Sequence, residues 1–92
     1  MKEEKKNQIL EELELQIAEC FHNAQRITSW IEYEMNNLKN EAESTRDFHW
    51  RIASIKAIAD KLVDYQARWE QQRELADFAQ HMHDMVKGGS NE

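Results

Sequence analysis

The clearest chemical pattern in this sequence is a single Glu-x-x-His, formed by Glu19 and His22. It places a carboxylate and an imidazole one helical turn apart, which is the spacing used by di-iron four-helix bundles. Such a site also needs carboxylates from the facing helices, and the sequence has no second Glu-x-x-His. We therefore expect no metal site and no cofactor.

Zinc chemistry is the next possibility, because Cys20 lies near His22, and His81 lies near His83. The ligand spacing of tetrahedral zinc sites is absent. Residues two apart on a helix also point in different directions, so these histidines do not share a metal. Cys20 is expected to be a small buried hydrophobe, and a single cysteine suits a reducing cytosol.

Catalytic motifs are also missing from the sequence. No serine lies in a nucleophile-elbow setting, and the only two glycines are adjacent, at Gly88 and Gly89. The sequence therefore has no glycine-rich phosphate loop. A Cys-His nucleophile would need Cys20 to be exposed and activated. We therefore predict that the chain is not an enzyme.

The residues that form turns are almost absent, since the 92-residue chain has no proline. Sheets need turns, so the sequence predicts an all-α fold in a single domain over residues 1–92. We expect one helix over 3–41, a loop over 42–44, a second helix over 45–87, and a flexible tail over 88–92. Ser44 and Asp47 have the spacing of a capping box at the second helix. Because the sequence begins with Met1, we expect a complete short protein.

Each predicted helix carries a seam of mostly apolar residues at alternating steps of three and four, which is typical of a coiled coil. A short connection makes the two helices antiparallel, as a helical hairpin. The first seam is Leu10, Leu13, Ile17, Cys20, Ala24, Ile27, Ile31, Glu34 and Leu38; the second is Phe48, Arg51, Ile55, Ile58, Leu62, Tyr65, Trp69, Gln72, Ala76, Ala79, His83 and Val86. After residue 74 the apolar face of the second helix shifts sideways, so we expect the helix to bend there or to turn its end toward a different neighbour. The shifted face is Leu75, Phe78, Ala79, Met82, Met85 and Val86.

The charged seam positions predict how the two helices align. If facing residues have numbers that total about 86, Glu34 lies beside Arg51. An ion pair between them would then fix the register of the hairpin.

Large apolar residues remain outside both seams, and a hairpin alone leaves them in water. We expect them either to form a homodimeric four-helix bundle or to pack on a partner protein. Aromatic and methionine side chains commonly anchor such interfaces. The predicted anchors are Trp30, Tyr33, Met35 and Trp50 near the loop, and Phe78, Met82 and Met85 near the other end.

The net charge of −6 argues against direct binding of nucleic acid, which needs clustered basic residues. Acidity is concentrated in the first helix, where Glu11, Glu12 and Glu19 are expected to face outward. One interpretation is a solvated face. The other is a negative surface that steers the chain to a basic groove of a nucleic-acid-binding protein.

No motif identifies a family, but the chain resembles many small phage and mobile-element proteins in being short, acidic and helical. That resemblance implies an inhibitor of a host nucleic-acid-processing or defence complex, acting in the cytoplasm. The alternative is a homodimeric structural subunit or a chaperone-like coiled-coil scaffold. No run of 18 apolar residues exists, so we expect no membrane span.

Overall fold

The computed structural model describes residues 2–89, which form two α-helices and no strand. Helix α1 spans Glu3–Ala42 and helix α2 spans Phe48–Gly89. The all-α prediction is therefore confirmed, and α1 ends within one residue of the predicted position. Gly88 does not end α2, because neither described glycine adopts the positive φ that a C-terminal glycine cap requires. Residues 90–92 of the predicted tail lie outside the described residues.

The start of α2 differs from the prediction by three residues. The Ser44 hydroxyl accepts a hydrogen bond from the Arg46 backbone N–H at 3.1 Å, which is a local turn instead of a capping box. The first helical bond of α2 runs from the Arg51 N–H to the Asp47 carbonyl at 3.0 Å. Asp47 therefore holds the N-cap position, and α2 begins at Phe48.

The five-residue loop between the helices is closed by an ion pair between Arg46 and Glu41. The hydrogen bond that Arg46 donates to the Glu41 carboxylate, and the charge of that carboxylate, raise the pKa of Arg46. The Ser44 backbone N–H also donates to the Glu41 carbonyl at 3.2 Å, at the end of α1. Of these residues, Arg46 was predicted to lie in the second helix.

The chain divides into two compact units, each made of one segment from each helix. Unit 1 combines Met1–Ala24 with Gln71–Glu92, and unit 2 is Gln25–Glu70. In unit 2 the segments are antiparallel, because Trp30 lies against Tyr65 while the later residue Glu34 lies against the earlier residue Lys61.

The segments of unit 1 are also antiparallel. The Asn23 side-chain amide donates to the Gln72 Oε1 at 3.3 Å, and Glu14 meets His83 at 3.0 Å. Moving toward the N-terminus on α1 therefore moves toward the C-terminus on α2. These polar contacts lie beside the most buried residues of the unit, which include Cys20.

Both predicted seams are confirmed by burial, with one exception. All nine positions on α1 are at least partly buried, including Glu34, and so are eleven of the twelve on α2. Phe48 is exposed, because it is the first residue of α2 and the seam begins one turn later. Helix α2 continues without a break past residue 74, and Ala76 and Ala79 continue the seam there, while Leu75 and Phe78 are exposed beside it.

Neither α1 nor α2 contains a stretch that is long and apolar enough to cross a bilayer.

Candidate protein-interaction surface

The register of unit 2 is set by Glu34 and Lys61, not by Glu34 and Arg51 as predicted. The Lys61 Nζ lies 3.9 Å from the Glu34 Oε1. Their numbers total 95, as do those of Trp30 and Tyr65, whose ring centroids are 5.7 Å apart. The predicted total of 86 placed the loop too early, because it assumed that α2 began before residue 48.

Arg51, the predicted partner of Glu34, has a different role. Its Nη2 donates a hydrogen bond to the Ala42 carbonyl at 3.0 Å. That carbonyl belongs to the last residue of α1, where backbone acceptors have no helical donor. Arg51 therefore caps the C-terminus of α1, while its buried Nε makes no hydrogen bond.

Most of the large exposed side chains fall into two groups, according to their place beside the seam; Leu15 and Phe48 belong to neither group. We define front-face residues as those immediately before a seam residue, and back-face residues as those immediately after one. Successive helix residues are rotated by about 100°, so the two groups lie on opposite flanks of the seam. In an antiparallel pair, the front flanks of both helices meet on one side.

The front face of unit 2 is rich in aromatic side chains. Tyr33 and Trp50 precede Glu34 and Arg51, and they are 66% and 67% exposed. Trp30 is 39% exposed because one of its faces packs on Tyr65. The predicted anchors Trp30, Tyr33 and Trp50 are thus exposed on the same side of this unit.

Charged residues of both signs border the Trp30 and Tyr65 rings. Trp30 and Tyr65 line an open groove of about 550 Å³ together with Lys61, Arg68, Asp60 and Asp64. The Arg68 Nε pairs with the Asp64 carboxylate at 3.0 Å, and much of the Arg68 side chain remains exposed. The Arg26 guanidinium lies 5.8 Å from the centre of the Trp30 ring, within cation–π range. The groove therefore offers flat apolar surface bordered by two basic and two acidic side chains, with Arg26 beside Trp30.

The front face of unit 1 is apolar on α2 and acidic on α1. Leu75, Phe78 and Met85 are exposed, and Met82 is partly buried. These four residues follow one another at steps of three and four along α2, so they form one stripe. Three of them are the predicted anchors for this end of the chain.

The predicted acidic residues are all exposed, but they do not form one stripe. Glu12 and Glu19 immediately precede seam residues and lie on the front face of unit 1. Glu11 immediately follows the seam residue Leu10 and lies on the back face. Glu14 is held by His83, which further interrupts the acidic surface.

The back face carries fewer large apolar residues. Phe21, Met35, Ile52 and Val63 each follow a seam residue, and each is exposed. Met35 was predicted to act together with Trp30 and Tyr33. Its flank separates it from those two residues, so the structure does not bring the predicted anchors into one cluster.

The residues considered for metal or nucleophile chemistry do not converge. Cys20 is buried, as predicted from its seam position. Glu19 and His22 are both exposed. Within residues 2–89, no group of three or more His, Cys, Asp or Glu side chains is placed to hold a metal ion.

Comparison with known proteins identifies no relative of this chain. No family model, curated protein or solved structure matches the chain.

Sequence reasoning missed Lys61 and Arg68 as parts of the candidate surface. Both immediately precede seam residues of α2, as Trp30 does on α1, and this shared position was the available signal. Their closeness to Trp30 followed only from the register, which the sequence pattern had placed incorrectly.

Proposed function

We propose that this chain is a non-enzymatic protein-binding module that regulates or inhibits a partner protein by occupying part of its surface. The observation that carries the proposal is the exposure of Tyr33 and Trp50, together with that of Trp30, on the front face of unit 2. Exposed aromatic side chains of this size are uncommon on a surface that contacts only water.

The chemistry of this patch fits a protein interface. Aromatic residues and arginine are enriched where binding energy is concentrated, and Arg26 and Arg68 lie beside Trp30. Each aromatic side chain can bury roughly 150–250 Å² when a partner covers it. Such contacts need no catalytic group.

The exposed carboxylates of unit 1 support a role in approach to the partner. Glu12 and Glu19 project from the front face of that unit. Surface charges of this kind raise association rates with a basic partner and make those rates sensitive to salt. A basic partner is also what an inhibitor of a nucleic-acid-processing complex would meet.

Affinity capture with matched variants tests the proposal. Tagged wild-type chain, Tyr33→Ala/Trp50→Ala and Ile52→Ala/Val63→Ala are compared in extract of the cells that produce the protein. The front-face variant should lose the retained partner, whereas the back-face variant should keep it. Equal retention by both variants would contradict the proposed surface. Circular dichroism confirms that all three chains keep the same helix content.

A second candidate function is a homodimeric structural subunit. It is favoured by the incomplete burial of the core, because even Ala79, the most buried apolar residue within residues 2–89, is 5% exposed to solvent. A second copy would cover this seam further. The capture experiment separates the two functions, since a structural subunit retains only its own copy.

A further inference from the structure

The front face of unit 1 holds a continuous apolar stripe on α2. It consists of Leu75, Phe78, Met82 and Met85, of which Met82 alone is partly buried. The stripe runs from residue 75 to residue 85, so it is about 15 Å long at 1.5 Å per residue. The pairing of α1 with α2 inside the unit leaves most of this stripe exposed, so it is open to a further chain.

Two exposed carboxylates lie across the front face from this stripe. They belong to Glu12 and Glu19 on α1. Facing residues in unit 1 have numbers that total 95 to 97, so Glu12 lies level with residues 83–85 and Glu19 with residues 76–78. The front positions of residues 9–23 and 71–85 contain no basic residue. The apolar stripe and the two negative charges therefore occupy the same stretch of one face.

These carboxylates are not neutralised inside the chain. Neither Glu12 nor Glu19 has an ion-pair partner among residues 2–89. Glu14, by contrast, is paired with His83. Uncompensated charge of one sign beside an apolar surface favours a partner of the opposite sign. The front face of unit 1 therefore suits a segment that is both apolar and basic.

The back face of unit 1 lacks this combination. Among the described residues of the unit, Phe21 is the only large apolar residue at a back position, and it is 63% exposed. The charged residues at back positions of α2 have both signs, since they include Arg73 and Asp77. The back face therefore supplies a matched control for each feature of the front face.

The shape of the occupant follows from the helices themselves. Residues 3–42 and 48–89 are helical, so most of their backbone groups are bonded within each helix. This face therefore offers no strand edge to which an extended peptide could add. An apolar stripe at steps of three and four packs well on a helix that carries its own stripe at the same spacing.

We infer that the front face of unit 1 binds a basic amphipathic α-helix presented by the partner protein. The inference rests on the proposed function, which supplies the partner, and it names the chemistry of the segment that is bound. The stripe from Leu75 to Met85 covers the apolar side of that helix. Glu12 and Glu19 pair with Lys or Arg residues beside its apolar side. Methionine side chains suit this role, because they are unbranched and adapt to partners of different shape.

A set of synthetic peptides tests this specificity. The probe is a fluorescein-labelled amphipathic helix of Leu and Lys, about 14 residues or four turns long. One comparison peptide replaces every Lys with Glu, and another has the Leu/Lys composition in an order that forms no apolar stripe. Fluorescence anisotropy at low ionic strength measures the Kd of each peptide for the full chain. The Leu/Lys helix should bind about tenfold or more tightly than either comparison peptide.

Two phenylalanines test whether the stripe is the site. Phe78 on the front face and Phe21 on the back face are 65% and 63% exposed, so their substitutions remove similar exposed side chains. Phe78→Ala should raise the Kd of the Leu/Lys helix about tenfold, and Phe21→Ala should leave it unchanged. Circular dichroism checks that both chains keep the helix content of the wild type.

A second pair of variants separates local charge from net charge. Glu12→Gln/Glu19→Gln should raise the Kd of the Leu/Lys helix about three- to tenfold, because two exposed ion pairs are lost. Glu11→Gln/Asp77→Asn removes the same charge from exposed back positions and should leave the Kd unchanged. An equal loss in both variants would show only that a basic peptide is attracted to an acidic chain.

A second copy of the chain is the competing occupant of the stripe. Sedimentation equilibrium of the wild type and Phe78→Ala distinguishes the two. A wild-type dimer that Phe78→Ala converts into a monomer would assign the stripe to self-association and overturn the inference. A mass that is the same for both chains is the expected result.

Other results would also overturn the inference: equal affinity for the Leu/Lys and Leu/Glu helices, or equal effects of Phe78→Ala and Phe21→Ala. The chain with Tyr33→Ala/Trp50→Ala should bind the Leu/Lys helix like the wild type, and a loss there would place the peptide on unit 2 instead. Failed peptide binding leaves the capture experiment of the proposed function unaffected. A failed capture likewise leaves the peptide result standing, so the two failures are distinguishable.

Discussion

Lys61 lies 3.9 Å from Glu34, the most buried charged residue within residues 2–89. The Glu34 side chain is only 8% exposed, whereas the Lys61 side chain reaches it from solvent. This pair sits next to the groove that holds Trp30 and Tyr65. The contact that sets the register of unit 2 thus also places Lys61 beside Trp30 and Tyr65.

Removing Lys61 should destabilise the fold through Glu34. In Lys61→Met the buried carboxylate loses its partner, which should lower the free energy of unfolding by about 1–2 kcal/mol. A double-mutant cycle with Glu34→Gln, measured by urea denaturation, should give a coupling energy of about 1 kcal/mol.

The matched cycle pairs Glu34→Gln with Arg51→Met. The register in the structure predicts additivity within about 0.3–0.5 kcal/mol for this pair. A larger coupling with Arg51 than with Lys61 would support the register predicted from sequence over the one in the structure. Arg51→Met alone should still cost about 1 kcal/mol, since it removes the bond to the Ala42 carbonyl.

His83 is a polar residue in the seam, and replacing it should stabilise the chain. Its Nδ1 is buried without a hydrogen bond, although the Asp84 carboxylate lies 3.8 Å away. Its Nε2 meets Glu14, whose side chain is largely exposed and gains little from the pair. His83→Leu should raise the free energy of unfolding by about 1 kcal/mol, or Tm by about 4–8 °C.

The exposed His81 supplies the control for that change. His81→Leu should leave Tm unchanged in a thermal melt at the same protein concentration. Equal shifts for both substitutions would show that the effect comes from added hydrophobicity, not from the seam.

Alanine substitutions at three aromatic residues of the front face should distinguish the residues that stabilise the fold from those that are free to bind a partner. Trp50→Ala and Tyr33→Ala should each change the free energy of unfolding by no more than about 0.5 kcal/mol in the monomer, because both side chains are exposed. Trp30→Ala should cost about 1–2 kcal/mol, because it removes the contact with Tyr65. Denaturation at low concentration measures all three, and a large cost for Trp50→Ala would place that residue in the core.

The seams were predictable from sequence, and the register was not. Burial depends on the local spacing of residues such as Ile27 and Ala79, and that spacing is visible in the sequence. Register depends on where the loop closes. In the loop, the Ser44 hydroxyl accepts a hydrogen bond from the Arg46 N–H, so the expected capping box does not form. A difference of three residues at the start of α2 changed the partner of Glu34.

The candidate surface was predictable only in part, for the same reason. Exposure of Tyr33, Trp50 and Phe78 followed from their places outside the seams. The grouping of Trp30 with Lys61 and Arg68 required the correct alignment of the two helices. Met35 was placed with Trp30 because both lie near the loop in sequence, although they lie on opposite flanks of α1.

Site-specific photo-crosslinking tests most directly whether the front face contacts another protein. A photoreactive phenylalanine derivative is placed at Tyr33, and at the back-face position Val63 as the control, in the full chain inside the producing cells. We predict covalent products at position 33, either with a partner protein or with a second copy, and none at position 63. No product at position 33, or the same products at both positions, would contradict a front-face binding function.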